Sequence, residues 1–135
     1  MAGLTLRVFP QDRMIVNGAA MQFFTSAEFK FTNKVRFVYG SQIMAPSKAT
    51  NTARLLYVEL QNAYAGEHSE QPAAVAKCKI LIELYQEATT SNAAKSLLAY
   101  IWAGIQSCNF YSALLAARRL VRHEDSVLAH CAASL

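Results

Sequence analysis

The chain has 135 residues, 53% of them hydrophobic and 16% charged, with a formal net charge of +4. That length suits one domain with a core of its own, and that composition excludes a disordered or low-complexity chain. The longest apolar run, Leu97 to Ile105, has nine residues, too short to span a bilayer. No charged start followed by an apolar stretch and a small-residue cleavage site is present, so a cytoplasmic protein with no membrane partner is expected.

The first forty residues read at period two. Leu4, Leu6 and Val8 alternate with Thr5, Arg7 and Phe9 as in a half-buried strand, and Pro10-Gln11-Asp12 interrupts it. Arg13 to Val16 resumes the pattern. Asn17-Gly18 then signals a hairpin, because both central positions of a type I′ turn need positive φ. Ala20 to Thr25 returns. A second hairpin is expected around Thr32-Asn33, pairing Glu28 to Phe31 with Lys34 to Tyr39. From Thr50 the period becomes helical. Thr50 or Thr52 is a candidate cap for a helix running to about Ala65, with Gly66 as its stop. Pro72 suits the first turn of a second helix, in which Val75, Cys78, Ile82 and Tyr85 recur. Thr89 to Asn92 separates it from a third helix carrying Leu97, Leu98, Ile101 and Ile105. Asn109 begins a last helix with Tyr111, Leu114, Leu115 and Val121. The reading is α+β: an N-terminal antiparallel sheet of four or five short strands, followed by three or four helices. A basic β-rich part (1–45) and a helical part (46–135) form one compact domain of two layers.

Charge is divided unevenly over these parts. Residues 1–54 hold seven basic side chains against two acidic, residues 55–117 hold three against five, and the last eighteen residues add +1. A basic first half is the asymmetry of a protein that meets a polyanion, although a solvated face produces the same pattern.

Catalytic signatures are missing. Five scattered glycines exclude phosphate-loop and dinucleotide-turn motifs, no serine sits in a G-x-S-x-G elbow, and the aspartates are Asp12 and Asp125 alone. Glu83 and Glu87 at i,i+4 read as a solvated helix face. Cys78, Cys108 and Cys131 lack metal or disulfide spacing and read as reduced thiols, two of them buried. His123, His130 and Cys131 lack a fourth zinc ligand. The expectation is a non-enzyme with no cofactor and no metal.

Alternation places Phe29 and Phe31 on one face of the second hairpin and Lys30 on the other, with Lys34 and Arg36 sharing a face of the next strand. If the two segments pair, Lys30, Lys34 and Arg36 form a basic stripe that Arg7 extends, a platform for single-stranded RNA. The phenylalanines fall opposite the lysines and read as core. Arg54 stands near a helix start, where cations are unfavourable, so a specific carboxylate (Glu28 or Glu59) or a phosphate is expected for it. Arg118, Arg119 and Arg122 form a second cluster, for which Glu124 and Asp125 are the expected local partners.

Several segments in order resemble a known family. Asp12-Arg13-x-x-Val16 precedes the Asn17-Gly18-Ala19 turn. Asn33-Lys34-x-Arg36 leads through Gln42-Ile43-Met44 into Ala49-Thr50-x-x-Ala53-Arg54-x-x-Tyr57. Tyr111-x-Ala113-Leu114 and Arg118-x-Leu120-x-x-x-Glu124 complete the succession. From Leu4 to about Leu128 the chain resembles the flagellar-biosynthesis repressor FlbT family. It departs from the family at Gln42, usually acidic, and at Thr52, often proline. The resemblance implies a post-transcriptional regulator that associates with the 5′ untranslated region of flagellin mRNA, represses translation and promotes mRNA decay. It also implies a small partner, FlaF, and carries over no catalytic residue. The competing reading is a protein-interaction module that binds flagellin, FlaF or a second copy of itself and affects mRNA indirectly. The aromatic residues Tyr57, Tyr64, Tyr85, Tyr100, Trp102 and Tyr111 are more than a small helical layer needs, which favours that reading for the helical half.

Overall fold

A computed structural model describes residues 5–133, so Leu4 of the first expected strand lies outside the described residues. Five short strands come first: β1 (Thr5–Val8), β2 (Arg13–Val16), β3 (Ala19–Gln22), β4 (Ala27–Lys30) and β5 (Phe37–Tyr39). Four helices follow: α1 (Thr52–Ala65), α2 (Gln71–Ala88), α3 (Asn92–Gln106) and α4 (Phe110–Ala133). Between β5 and α1 the chain makes two single 3₁₀ turns, Gly40–Gln42 and Pro46–Lys48. The α+β order expected from the period change is the order observed.

The strands form two small antiparallel sheets rather than one: a β1–β4 ribbon and a three-stranded sheet in the order β3-β2-β5. The break lies at Pro10–Asp12. Gln11 takes a positive φ of 76°, and the Asp12 carboxylate accepts the Phe9 N–H at 2.9 Å, which turns the chain away after β1. β1 therefore pairs with β4, and the hairpin expected between β4 and β5 does not form. Leu6 stands opposite Phe29 and Arg7 opposite Glu28, while β5 pairs with β2 instead, Val38 opposite Ile15. Residues 31–36 join the two sheets without being a strand of either.

Alternation gives β2 and β5 two packed faces, while β3 stays exposed. Met14, Val16, Phe37 and Tyr39 pack toward Leu6, Val8 and Phe29 of the ribbon. Ile15 and Val38 point the other way, into the helical core around Leu56, Leu60, Leu98 and Leu120. The ring row Phe23, Phe29, Phe31, Phe37 and Tyr39 runs along the first cluster with centroids 4.9–6.1 Å apart, so these half-buried phenylalanines pack against the core, on the side their face required.

Local chemistry accounts for the turns. Asn17 and Gly18 take φ of 50° and 87°, the positive pair of a type I′ hairpin. A β-carbon on Gly18 would lie 2.5 Å from the Glu67 side chain and 2.7 Å from its backbone nitrogen, and the Gly18 N–H donates to the Ala65 carbonyl at 2.6 Å. Glycine is thus needed there twice, for its φ and for docking of the hairpin tip on the end of α1. The cap of α1 is Asn51, not Thr50 or Thr52: its side chain accepts the Arg54 N–H at 2.9 Å. Pro72 sits in the first turn of α2, and Ser91 caps α3. Helix α1 packs against both α2 and α4, and α4 packs against α3.

Candidate nucleic-acid interface

The residues expected to meet RNA fall into three separate settings. Arg7 and Lys30 share the outward face of the β1–β4 ribbon, because Thr5 and Arg7 alternate with buried Leu6 and Val8 while Glu28 and Lys30 flank Phe29. Glu28 sits directly opposite Arg7 on that face. Lys34 is exposed in the 31–36 connection. Arg36 is half-buried, and its carbonyl accepts the Asn17 N–H at 3.2 Å. The Arg36 guanidinium lies close enough to Tyr64 to work against the rise that burial and Tyr111 impose on the Tyr64 hydroxyl. Lys30, Lys34 and Arg36 therefore do not line up as one stripe. Lys30 ends β4, whereas Lys34 and Arg36 lie in the connection between the two sheets.

Arg54 does have the specific carboxylate partner expected of it, but on α4. Its two terminal nitrogens donate to the two carboxylate oxygens of Asp125 at 2.7 and 2.8 Å, a fork-to-fork pair between α1 and α4. The pairing holds the Asp125 carboxyl below the usual aspartate range and raises the arginine further. Glu28 and Glu59 are not its partners, and the brace joins two helices rather than the sheet and the helices.

The same pairing removes Asp125 from the Arg118–Arg122 cluster. Glu124 is also committed elsewhere, accepting the Tyr85 hydroxyl at 2.5 Å, and burial together with that carboxylate pushes the tyrosine pKa upward. The local partners expected for Arg118, Arg119 and Arg122 thus face other residues. None of the three makes an ion pair among the described residues.

Arg118 and Arg122 stand one turn apart on α4 and face the segment between β5 and α1. That segment is fixed by the buried side of α1. The Gln61 side chain, 4% exposed, accepts the Met44 N–H at 2.8 Å and donates to the Met44 carbonyl at 3.2 Å. Tyr57, one turn earlier, donates its hydroxyl to the Gln42 carbonyl. Gln42 itself accepts the Tyr39 N–H at 3.3 Å and reaches the Tyr111 hydroxyl at 3.4 Å. Between this anchored segment and α4 lies a cavity of about 220 Å³, bordered by Ile43, Met44, Lys48, Tyr57, Arg118 and Arg122 among others. Sequence reasoning singled out the arginines as a cluster without this cavity and counted Lys48 only in the charge balance. Gln61 was missed, although it follows Ala53 and Tyr57 at four-residue steps on the apolar stripe, where a lone amide signals a buried hydrogen-bonding role.

Other groups are placed as follows. Cys78 is buried and its thiol is pushed up to about 12, whereas Cys108 and Cys131 are exposed, so one thiol rather than two is buried. His123 meets the Ser91 hydroxyl at 3.1 Å. Among the described residues no group of three or more His, Cys, Asp or Glu is placed to hold a metal ion, and no helix is long and apolar enough to cross a membrane. Tyr57 and Tyr85 are buried, while Tyr100 and Tyr111 remain exposed.

A protein-family model described as flagellar protein FlbT matches residues 4–128. No curated protein and no solved structure matches the chain.

Proposed function

The chain belongs to the FlbT family of flagellar proteins, and from that premise we propose that it is a post-transcriptional regulator that binds the 5′ untranslated region of flagellin mRNA, represses translation and promotes mRNA decay. Family membership across residues 4–128 carries the reading. The surface chemistry is of the kind it requires. Arg7, Lys30 and Lys34 are exposed on the β-rich side, and the α4 arginines lack carboxylate partners among the described residues. Cations in such settings are available to phosphates, which supply most of the affinity for a nucleic-acid strand.

The test is a titration of the purified protein with its own flagellin leader, against a scrambled leader, at two salt concentrations. Tighter binding of the true leader and a fall in affinity with salt are expected. Equal, salt-independent or absent binding would remove the reading. Replacing both Arg7 and Lys30 by Gln should flatten the salt dependence by about one to two counterions.

One observation favours the second reading, a protein-interaction module. Leu55 on α1 and Ile80 and Leu84 on α2 are 43–57% exposed, and Leu55 and Ile80 line a shallow groove with Leu81. Exposed aliphatic groups at i,i+4 on one helix are a way to receive a partner helix. FlaF, flagellin or a second copy of the chain would be the partner. Loss of FlaF capture by Ile80→Asp, with leader binding intact, would show that the α1–α2 groove serves a protein partner separately from the RNA surface.

A further inference from the structure

The cavity between residues 43–48 and α4 combines three cations with an apolar floor. Ile43, Met44, Ala45 and Val121 supply the apolar surface with the edge of Tyr57, and Lys48, Arg118 and Arg122 supply the charge. Among the described residues no carboxylate lines it. Arg118 and Arg122 are like charges one helical turn apart, an arrangement that destabilises a helix unless an anion offsets it. The carboxylates next in sequence are already engaged, Glu124 by Tyr85 and Asp125 by Arg54. Its volume of about 220 Å³ is below the range of drug-sized sites and suits a single flat ring system rather than a helical segment.

We propose that this cavity is a nucleotide site, with the phosphate held between Lys48 and the Arg118–Arg122 pair and the base lying over Ile43, Met44 and Val121. Guanidinium groups are planar, weakly hydrated and matched in geometry to phosphate oxygens, so two of them beside a lysine suit a phosphate better than a hydrated cation would. An acidic peptide side chain would satisfy the charge and leave the apolar floor uncovered. A nucleotide satisfies both. The nucleotide is either a unit of a single-stranded RNA, whose bases can splay into a pocket, or a free mononucleotide. The first source rests on the RNA-binding reading above; the second does not.

The full-length protein is titrated, with amide signals followed by NMR, using 5′-AMP, 5′-UMP, adenosine, inorganic phosphate, hexaglutamate and the flagellin leader RNA. Saturable shifts at Met44, Lys48 and Val121 are expected with the mononucleotides, and weaker ones with adenosine or phosphate alone. Arg118→Gln and Arg122→Gln should each weaken nucleotide and leader binding by about tenfold, the value of a charge-assisted hydrogen bond. Arg119→Gln lies on the same helix outside the cavity and should cost less than about threefold. Lys48→Gln, in an exposed turn, keeps the test valid should circular dichroism show an arginine variant misfolded. Leader binding that the cavity variants leave unchanged would overturn the site and spare the RNA reading. Mononucleotide binding without leader binding would support the site and remove that reading. Saturation by hexaglutamate alone, equal shifts with inorganic phosphate and nucleotides, or no shift at these residues would overturn the proposal.

Discussion

Two arginine settings lie along α4, and they differ in what answers the charge. At the Asp125 end, Arg54 from α1 meets a carboxylate with both arms of its fork, and the charge is cancelled inside the protein. One to two turns earlier, Arg118 and Arg122 face a cavity that holds another cation and, among the described residues, no carboxylate. The first arrangement needs nothing from outside. The second is complete only with an anion. The contrast teaches that the number of basic residues in a segment says little about binding; what matters is which of them the fold has already neutralised.

The largest expected effect comes from loosening the wall that makes the second setting a cavity. Gln61→Ala strips a backbone N–H and a backbone carbonyl of Met44 of their partner, at a cost of about 1–3 kcal/mol. Thermal unfolding should register this, and leader affinity should fall with it because Lys48 is no longer held opposite Arg118. An unchanged melting temperature would mean that the segment is not anchored as described.

Tyr85→Phe comes next. It deprives the Glu124 carboxylate of a short hydrogen bond and should cost about 1–2 kcal/mol in denaturant unfolding. It also frees a carboxylate for the neighbouring arginines, so it should blur the contrast by lowering leader affinity. Tyr85→Phe with Glu124→Gln should restore that affinity, since no charge is then released.

Arg54→Lys is expected to be milder, because Asp125 is 47% exposed in the pair. Lysine keeps the charge and loses the fork, and water screens the loss to about 1 kcal/mol or less. The pH dependence has a definite sign. The Asp125 pKa is depressed in the folded chain, so its stabilising contribution is present above the ordinary aspartate value of 3.8 and is lost as pH falls through the lower folded value. The stability difference between the wild type and Asp125→Asn should therefore be visible at neutral pH and close in strong acid.

What the sequence made legible was local. Asn17-Gly18 announced its turn through backbone chemistry, Pro72 and Gly66 marked the ends of helices, and alternation put Phe29 inside and Lys30 outside. Alternation assigns a face but not a partner strand. Glu28–Phe31 could pair with Lys34–Tyr39 or with β1, and the turn at Pro10–Asp12 decided for β1, a choice no short window contains. The same limit applied to charge. Asp125 lies three residues from Arg122, within helical reach, yet its partner is Arg54, 71 residues away in sequence. The cation near the helix start did signal that a partner existed. Which one it was depended on how α1 and α4 pack.

The most direct measurement of the central claim is one titration of the flagellin leader RNA against the double variant Arg54→Gln/Asp125→Asn and against Arg118→Gln, with the melting temperature of each variant recorded alongside. Arg54→Gln with Asp125→Asn, which removes the pair without releasing a carboxylate toward Arg122, should lower the melting temperature by a few degrees and leave leader affinity near that of the wild type. Arg118→Gln should leave melting nearly unchanged and weaken the leader by about tenfold. The reverse pattern, or equal losses of affinity in both variants, would contradict the division between a neutralised arginine and one held open for a phosphate.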